Sequence, residues 1–208
     1  MRSEPTHTLF SVAQQRLNRD LECLKFQRKT SNFTSFKVSF PYRDGLYLIL
    51  PVSFCIIHQD SIYKSAVFQT VIKVSPGYPY KSPTMIVKNQ VYHLNIDIDS
   101  GEVYLKILKV STWQPDFTIN NIISAFELIL INPDLDFLPL NPINHEIREV
   151  LLSNPEEFQY NVKKTLNGGF FMNKYFFEPM YGKSNPQTKV KSRLLDNTKR
   201  PKYSRNDW

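Results

Sequence analysis

Leu9, Ala13, Leu17, Leu21 and Leu24 recur every three or four residues, with Arg16, Arg19, Asp20 and Glu22 between them. That period predicts an amphipathic helix over residues 9–26. The pattern then changes to alternation. Phe36, Val38 and Phe40 read as one strand, the apolar β-prone run Leu46–Ile57 around Pro51 as a second, and Phe68, Thr70, Ile72 and Val74 as a third. Met85–Lys88, after the proline-rich SPGYPYKSP, adds a fourth, and together they predict a four-stranded antiparallel meander. From 89 to 117 neither period survives, and such long irregular segments usually carry a site.

Helical spacing returns at Thr118, which is placed to cap a helix with Ile119, Ile122, Ile123, Phe126 and Ile129 as its stripe. Asn141-Pro142 opens another helix, with Ile147, Val150 and Leu151 inward. The last is the most fully punctuated: Asn154 as cap, Pro155 at the first position and Glu156 and Glu157 in the first turn. Phe158, Val162 and Leu166 form its stripe, and Gly168-Gly169 its stop. The order predicts an α+β domain: an N-terminal helix, the meander, a long active-site-type loop, then C-terminal helices. The expected boundaries are an N-terminal arm at 1–8, the domain at 9–178 and a C-terminal tail at 179–208.

With 208 residues, 41% of them hydrophobic and 22% charged, the chain suits one domain with a core and some length to spare. No run approaches a membrane span. An apolar leader is missing, which argues against secretion; Arg2, Arg16 and Arg19 against Glu4 leave a mitochondrial address open beside a cytoplasmic or nuclear one. The net charge of +7 is concentrated at one end: from Lys183 onward eight Lys/Arg face two Asp, giving +6 there and about +1 elsewhere. Lys189, Lys191, Arg193, Lys199, Arg200 and Lys202 make the tail a candidate contact for an acidic protein or membrane surface. Aromatic interleaving is lacking, which argues against nucleic acid. Cys23 and Cys55 show no metal-ligand or disulfide spacing and are expected to be buried free thiols. His7, His58 and His145 are scattered, and no cofactor or metal is predicted.

Several separated motifs, in order, resemble the ubiquitin-conjugating enzyme family. They are Tyr78-Pro79-Tyr80-Lys81-Ser82-Pro83, Tyr92-His93-Leu94-Asn95-Ile96-Asp97, Trp113-Gln114-Pro115 and Pro139-Leu140-Asn141. The run YLKILKVSTWQP and the ending FQYNVKKTLNGGFF resemble the branch that conjugates the ubiquitin-like modifier of cullins. Leu9 and Phe10, in LFSVAQQ, resemble that branch's docking peptide for its activating enzyme, and the likeness spans roughly residues 9–178.

In that family a cysteine after Gly-x-Val forms a thioester with the modifier and passes the acyl group to a lysine; Tyr104 occupies that place in GEVYL. The resemblance makes Tyr104, Asn95, His93 and Leu94 a vestigial site: Asn95 stands where the family stabilises an oxyanion, and Leu94 where it has a proline that stiffens the loop. Residues need no activity to be kept there. Asn95 can staple backbone, His93 can be a satisfied buried imidazole and Trp113 a core anchor. Ser82 replaces the first proline of a pair, and NPDLDFLPLN runs one residue longer than its counterpart.

The implied protein is catalytically inactive and acts as a structural or interaction subunit of a larger assembly, a mitochondrial multisubunit complex among the options. The alternative is a regulatory variant that binds modifier, ligase or an active conjugating enzyme. Tyr78, Trp113, Gln114 and Pro115 join Leu9, Phe10 and the tail cations as contact candidates.

Overall fold

The computed structural model describes residues 5–27, 34–133 and 142–181, with side chains described from Val12 to Leu24 in the first helix and from Asn144 in the third. The tail cations, Pro139-Leu140-Asn141, most of the long NPDLDFLPLN loop and the side chains of Leu9 and Phe10 lie outside the described residues.

β3 (Tyr47–Ile56) organises the sheet because it is the longest strand and has a neighbour on each side. β1 (Thr34–Val38) and β4 (Val67–Val74) flank it, and β5 (Thr84–Val87) completes the order β1-β3-β4-β5, all antiparallel. Leu50, Val52, Phe54 and Ile56 turn one face of β3 inward, which is the period-2 burial the alternation implied. Pro51 is tolerated in this central strand because its carbonyl accepts from Ser39 on the side where β1 has ended. Its missing N–H therefore faces a gap in the pairing.

The structure adds a short strand to the expected meander: β2 (Tyr42–Asp44) pairs with the start of β3. Three residues, all exposed, carry no alternation that a sequence could show.

The helices pack over the inner face and ends of the sheet. α1 (Pro5–Gln27) begins four residues before the expected start, so LFSVAQQ lies within the helix and the arm expected at 1–8 ends before Pro5. Ala13, Leu17 and Leu24 are its buried stripe. α2 (Ile119–Ile131) starts after Thr118, whose backbone N–H donates to the Asn121 side chain at 2.9 Å. α3 is Pro142–Ser153 and α4 is Pro155–Leu166, the latter capped by Asn154 accepting from Glu157 N at 3.2 Å. Gly168 and Gly169 end α4 with φ of +81° and +111°, a conformation that disfavours other residues.

Past that stop the chain turns into a hairpin that the sequence did not signal, β6 (Gly169–Phe171) with β7 (Tyr175–Phe177). Phe171, Tyr175 and Phe177 are buried while Phe170 and Phe176 are exposed, so aromatics on both faces hide the period. The fold also runs past the expected boundary at 178: Met180 is buried, its carbonyl accepts from Val67 N at 2.7 Å, and Tyr181 bridges to Ala66. The thiols differ from expectation too. Cys23 is exposed on α1 and Cys55 half-buried on β3. Among the described residues no helix is long and apolar enough to cross a membrane.

α1 is fastened by a buried charge. The Asp20 carboxylate accepts from Arg16 Nε at 2.9 Å and from the Tyr78 hydroxyl. Arg16 reaches on to the carbonyls of Pro115 (2.7 Å) and Phe117 (3.0 Å), and Trp113 Nε1 donates to Pro79 O at 2.6 Å. Burial, then the bond to Asp20, pushes the Tyr78 hydroxyl far up from the usual phenol range, so it remains a donor. Removing the shared acceptor leaves two buried or half-buried donors without it. Asp20→Ala is expected to cost about 3 kcal/mol, read as a lower urea midpoint with an unchanged slope.

Candidate functional site

The segment from 92 to 104 has little regular structure, so its conformation rests on specific bonds. It turns back on itself through bridges of Ile96 with Val103 and of Ile86 with Glu102, which attach it to the edge of β5. Val87 N donates to Gly101 O at 2.8 Å and Val103 N to Met85 O at 2.9 Å. The tip is an Asx-type turn: Asp97 Oδ1 accepts from Asp99 N (3.0 Å) and from Ser100 N (2.7 Å). Gly101 has φ of +72°, and a Cβ there would lie 2.1 Å from the Val87 carbonyl oxygen. Only glycine satisfies both the conformation and the approach.

Tyr104 follows this turn. Its N–H donates to Asn95 O at 2.7 Å, and its carbonyl accepts from Asn95 Nδ2 at 2.9 Å. Asn95 is fully buried, and its side-chain amide thus holds backbone across the loop from the residue it faces. The Tyr104 side chain is half-exposed. Leu94, at the position where the family has a proline, is fully buried and packs into the core.

His93 is fully buried beneath the turn. Nδ1 accepts from Asn95 N at 2.9 Å, which leaves Nε2 as the N–H that donates to Ile129 O at 3.0 Å, one of the carbonyls left over at the end of α2. Both ring nitrogens are used in the neutral form. Burial pushes the imidazole down to about 4 although the Ile129 carbonyl favours its proton. Asn144 on α3 adds a clamp that the sequence did not point to, donating to the carbonyls of His93 and Ile96, each at 3.0 Å. Its spacing was the available signal: Asn144 stands three residues before Ile147 and seven before Leu151, a polar residue at an inward position of the helix. The Tyr63 hydroxyl donates to Tyr92 O at 2.8 Å from the opposite side.

The contact candidates divide. Gln114 and Pro115 are exposed beside the loop. Tyr78 and Trp113 correct the expectation of surface contact: they are 1% and 9% exposed, their rings 6.2 Å apart, and their polar atoms are committed to Asp20 and Pro79. They shape this region from inside. Cys23 is exposed on α1 and Cys55 half-buried on β3, in register with Ser35 and Val67, so neither belongs to the loop that carries Tyr104. Among the described residues no group of three His, Cys, Asp or Glu is placed to hold a metal.

His93 gives a pH signature. Its folded value lies below the ordinary 6.5, so between about 4 and 6.5 the unfolded chain binds more protons than the folded one. Its contribution is complete above pH 6.5 and is lost as pH falls through that window. Urea titrations at pH 7 and pH 4 should differ by roughly 3 kcal/mol on its account. In His93→Gln that share of the slope should be absent.

The ubiquitin-conjugating enzyme family profile matches residues 16–166, from the middle of α1 to the end of α4 with the whole loop between. The chain is 31% identical over 166 residues to the NEDD8-conjugating enzyme Ubc12 of Arabidopsis thaliana, covering 80% of this chain and 83% of that protein. It is likewise 31% identical over 166 residues to the Nedd8-conjugating enzyme UbcE2M of Drosophila melanogaster, with the same coverage. The solved structure of S. cerevisiae Ubc12 superposes with a TM-score of 0.66 at 22% identity, covering 82% of this chain and 86% of that one, and supports the fold. The match runs through sheet, loop and crossing helices alike, and the chain belongs to the ubiquitin-conjugating enzyme family.

Proposed function

We propose that this chain is a non-catalytic family member that works by contact in a NEDD8-type conjugation pathway, binding modifier, ligase or an active conjugating enzyme. The observation that carries the reading is Tyr104 at the end of the Gly101 turn, where the family's cysteine is expected. Acyl relay needs one atom that attacks well and leaves well. A thiol, ionising near ~8.5, meets both demands, whereas a phenol near ~10 is mostly protonated at neutral pH. The geometry around it supports the same reading. The Asn95 amide, the group an oxyanion would call on, is bonded to the Tyr104 carbonyl. Cys23 on α1 and Cys55 on β3 belong to other elements than the loop that carries Tyr104.

The NEDD8-directed names of its relatives favour a pathway role. An architectural role in a larger assembly, mitochondrial or otherwise, shares the loss of chemistry and rests on the basic tail alone. Since the scaffold survives without the reaction, contact is the function left to it.

Incubation with NEDD8-activating enzyme, ATP and NEDD8 should leave the purified chain uncharged. Tyr104→Cys should gain a thiol-reducible adduct, because Gly101, Asn95 and His93 already hold the turn. A hydroxylamine-labile adduct on the unmodified chain, lost in Tyr104→Phe, would overturn the proposal.

A further inference from the structure

Between α3 and the β6–β7 hairpin lies a cleft of about 220 Å³. Ile98, Ile147, Val150 and Phe171 form an apolar floor, and Met172, 66% exposed, gives it a flexible wall. Its lining carries charge of both signs, exposed Glu146 on α3 and Lys174 on the hairpin, and Asp99 of the site loop lies close enough to act on Lys174. The space is below the roughly 300–1,000 Å³ of small-molecule pockets. It suits one or two aliphatic side chains.

We propose that this cleft seats the chain's own C-terminal segment Lys189–Asp196. Leu194-Leu195 is the one adjacent apolar pair in residues 182–208. Lys189, Lys191 and Arg193 precede it and Asp196 follows, so the charges on either side of the leucines match Glu146 on α3 and Lys174 on the hairpin. Length permits the docking. The last described residue, Tyr181, comes four residues after the end of β7, and Leu194 lies thirteen positions further on. An extended chain of that length reaches about 45 Å, comparable with the roughly 40 Å breadth of a domain this size. Tethering gives the segment an effective concentration on the order of mM, so individually weak contacts suffice. The tail's +6 charge is then partly occupied in cis, and an acidic partner binds it in competition with the cleft. This inference is independent of whether Tyr104 is inert.

The test uses the full chain with p-benzoylphenylalanine at Ser192, leaving both leucines in place. Irradiation should give a product at monomer mass, linked to residues 144–153 or 169–175. The link should disappear in Leu194→Asp/Leu195→Asp, which alters only the tail. It should fall about threefold in Glu146→Lys, a change at an exposed site. Links only at dimer mass would mean a second copy occupies the cleft, and links elsewhere on the chain would place the segment on another surface. Either result, or insensitivity to Leu194→Asp/Leu195→Asp, overturns the proposal.

Discussion

Thirty-one residues lie between the end of β5 and the start of α2, with one turn of 3-10 helix, Lys106–Leu108, as their only helical element. Much of this backbone is buried, and a buried amide or carbonyl left unbonded costs a large fraction of a domain's net stability. The structure answers by recruiting every neighbouring element. β5 supplies Met85 and Val87, α2 the Ile129 carbonyl, α3 the Asn144 amide, and the segment before β4 the Tyr63 hydroxyl. Asn95 and Asp97 bond the loop to itself. The position of Tyr104 depends on these bonds.

Each tie asks for a group of a particular size and polarity, whether or not a reaction occurs nearby. Neutral His93 and the buried Asn95 amide act here as a hydrogen-bonded frame. On the proposed reading, the same bonds are reason enough for these residues to be kept without catalysis. The loop remains a structural unit that buries Leu94 and Ile96 and supports the surface formed by Gln114 and Pro115.

The helices and the main strands were legible because their apolar positions repeat and their ends carry caps: Thr118, Asn154-Pro155 and Gly168-Gly169 each mark a boundary that the structure contains. β2 was illegible since none of its residues is buried, and β6–β7 because aromatics occupy both faces. Loss of both periods from 89 to 117 marked the irregular segment without locating the turn at Asp97–Gly101 inside it. What Arg16, Asp20 and Asn144 reach for could not be read, because Phe117, Tyr78 and His93 lie about 50 to 100 residues from them. Tyr78 illustrates the same limit: an aromatic beside prolines reads as surface, until a distant helix covers it.

On the proposed reading, the frame around Tyr104 holds backbone and carries no acyl group. Intact-mass spectrometry of the chain isolated from its own cells, at mildly acidic pH and without reductant, measures this most directly. The account predicts that all of the protein appears without an attached modifier. A fraction heavier by one modifier, with the link mapped to Tyr104, would contradict it.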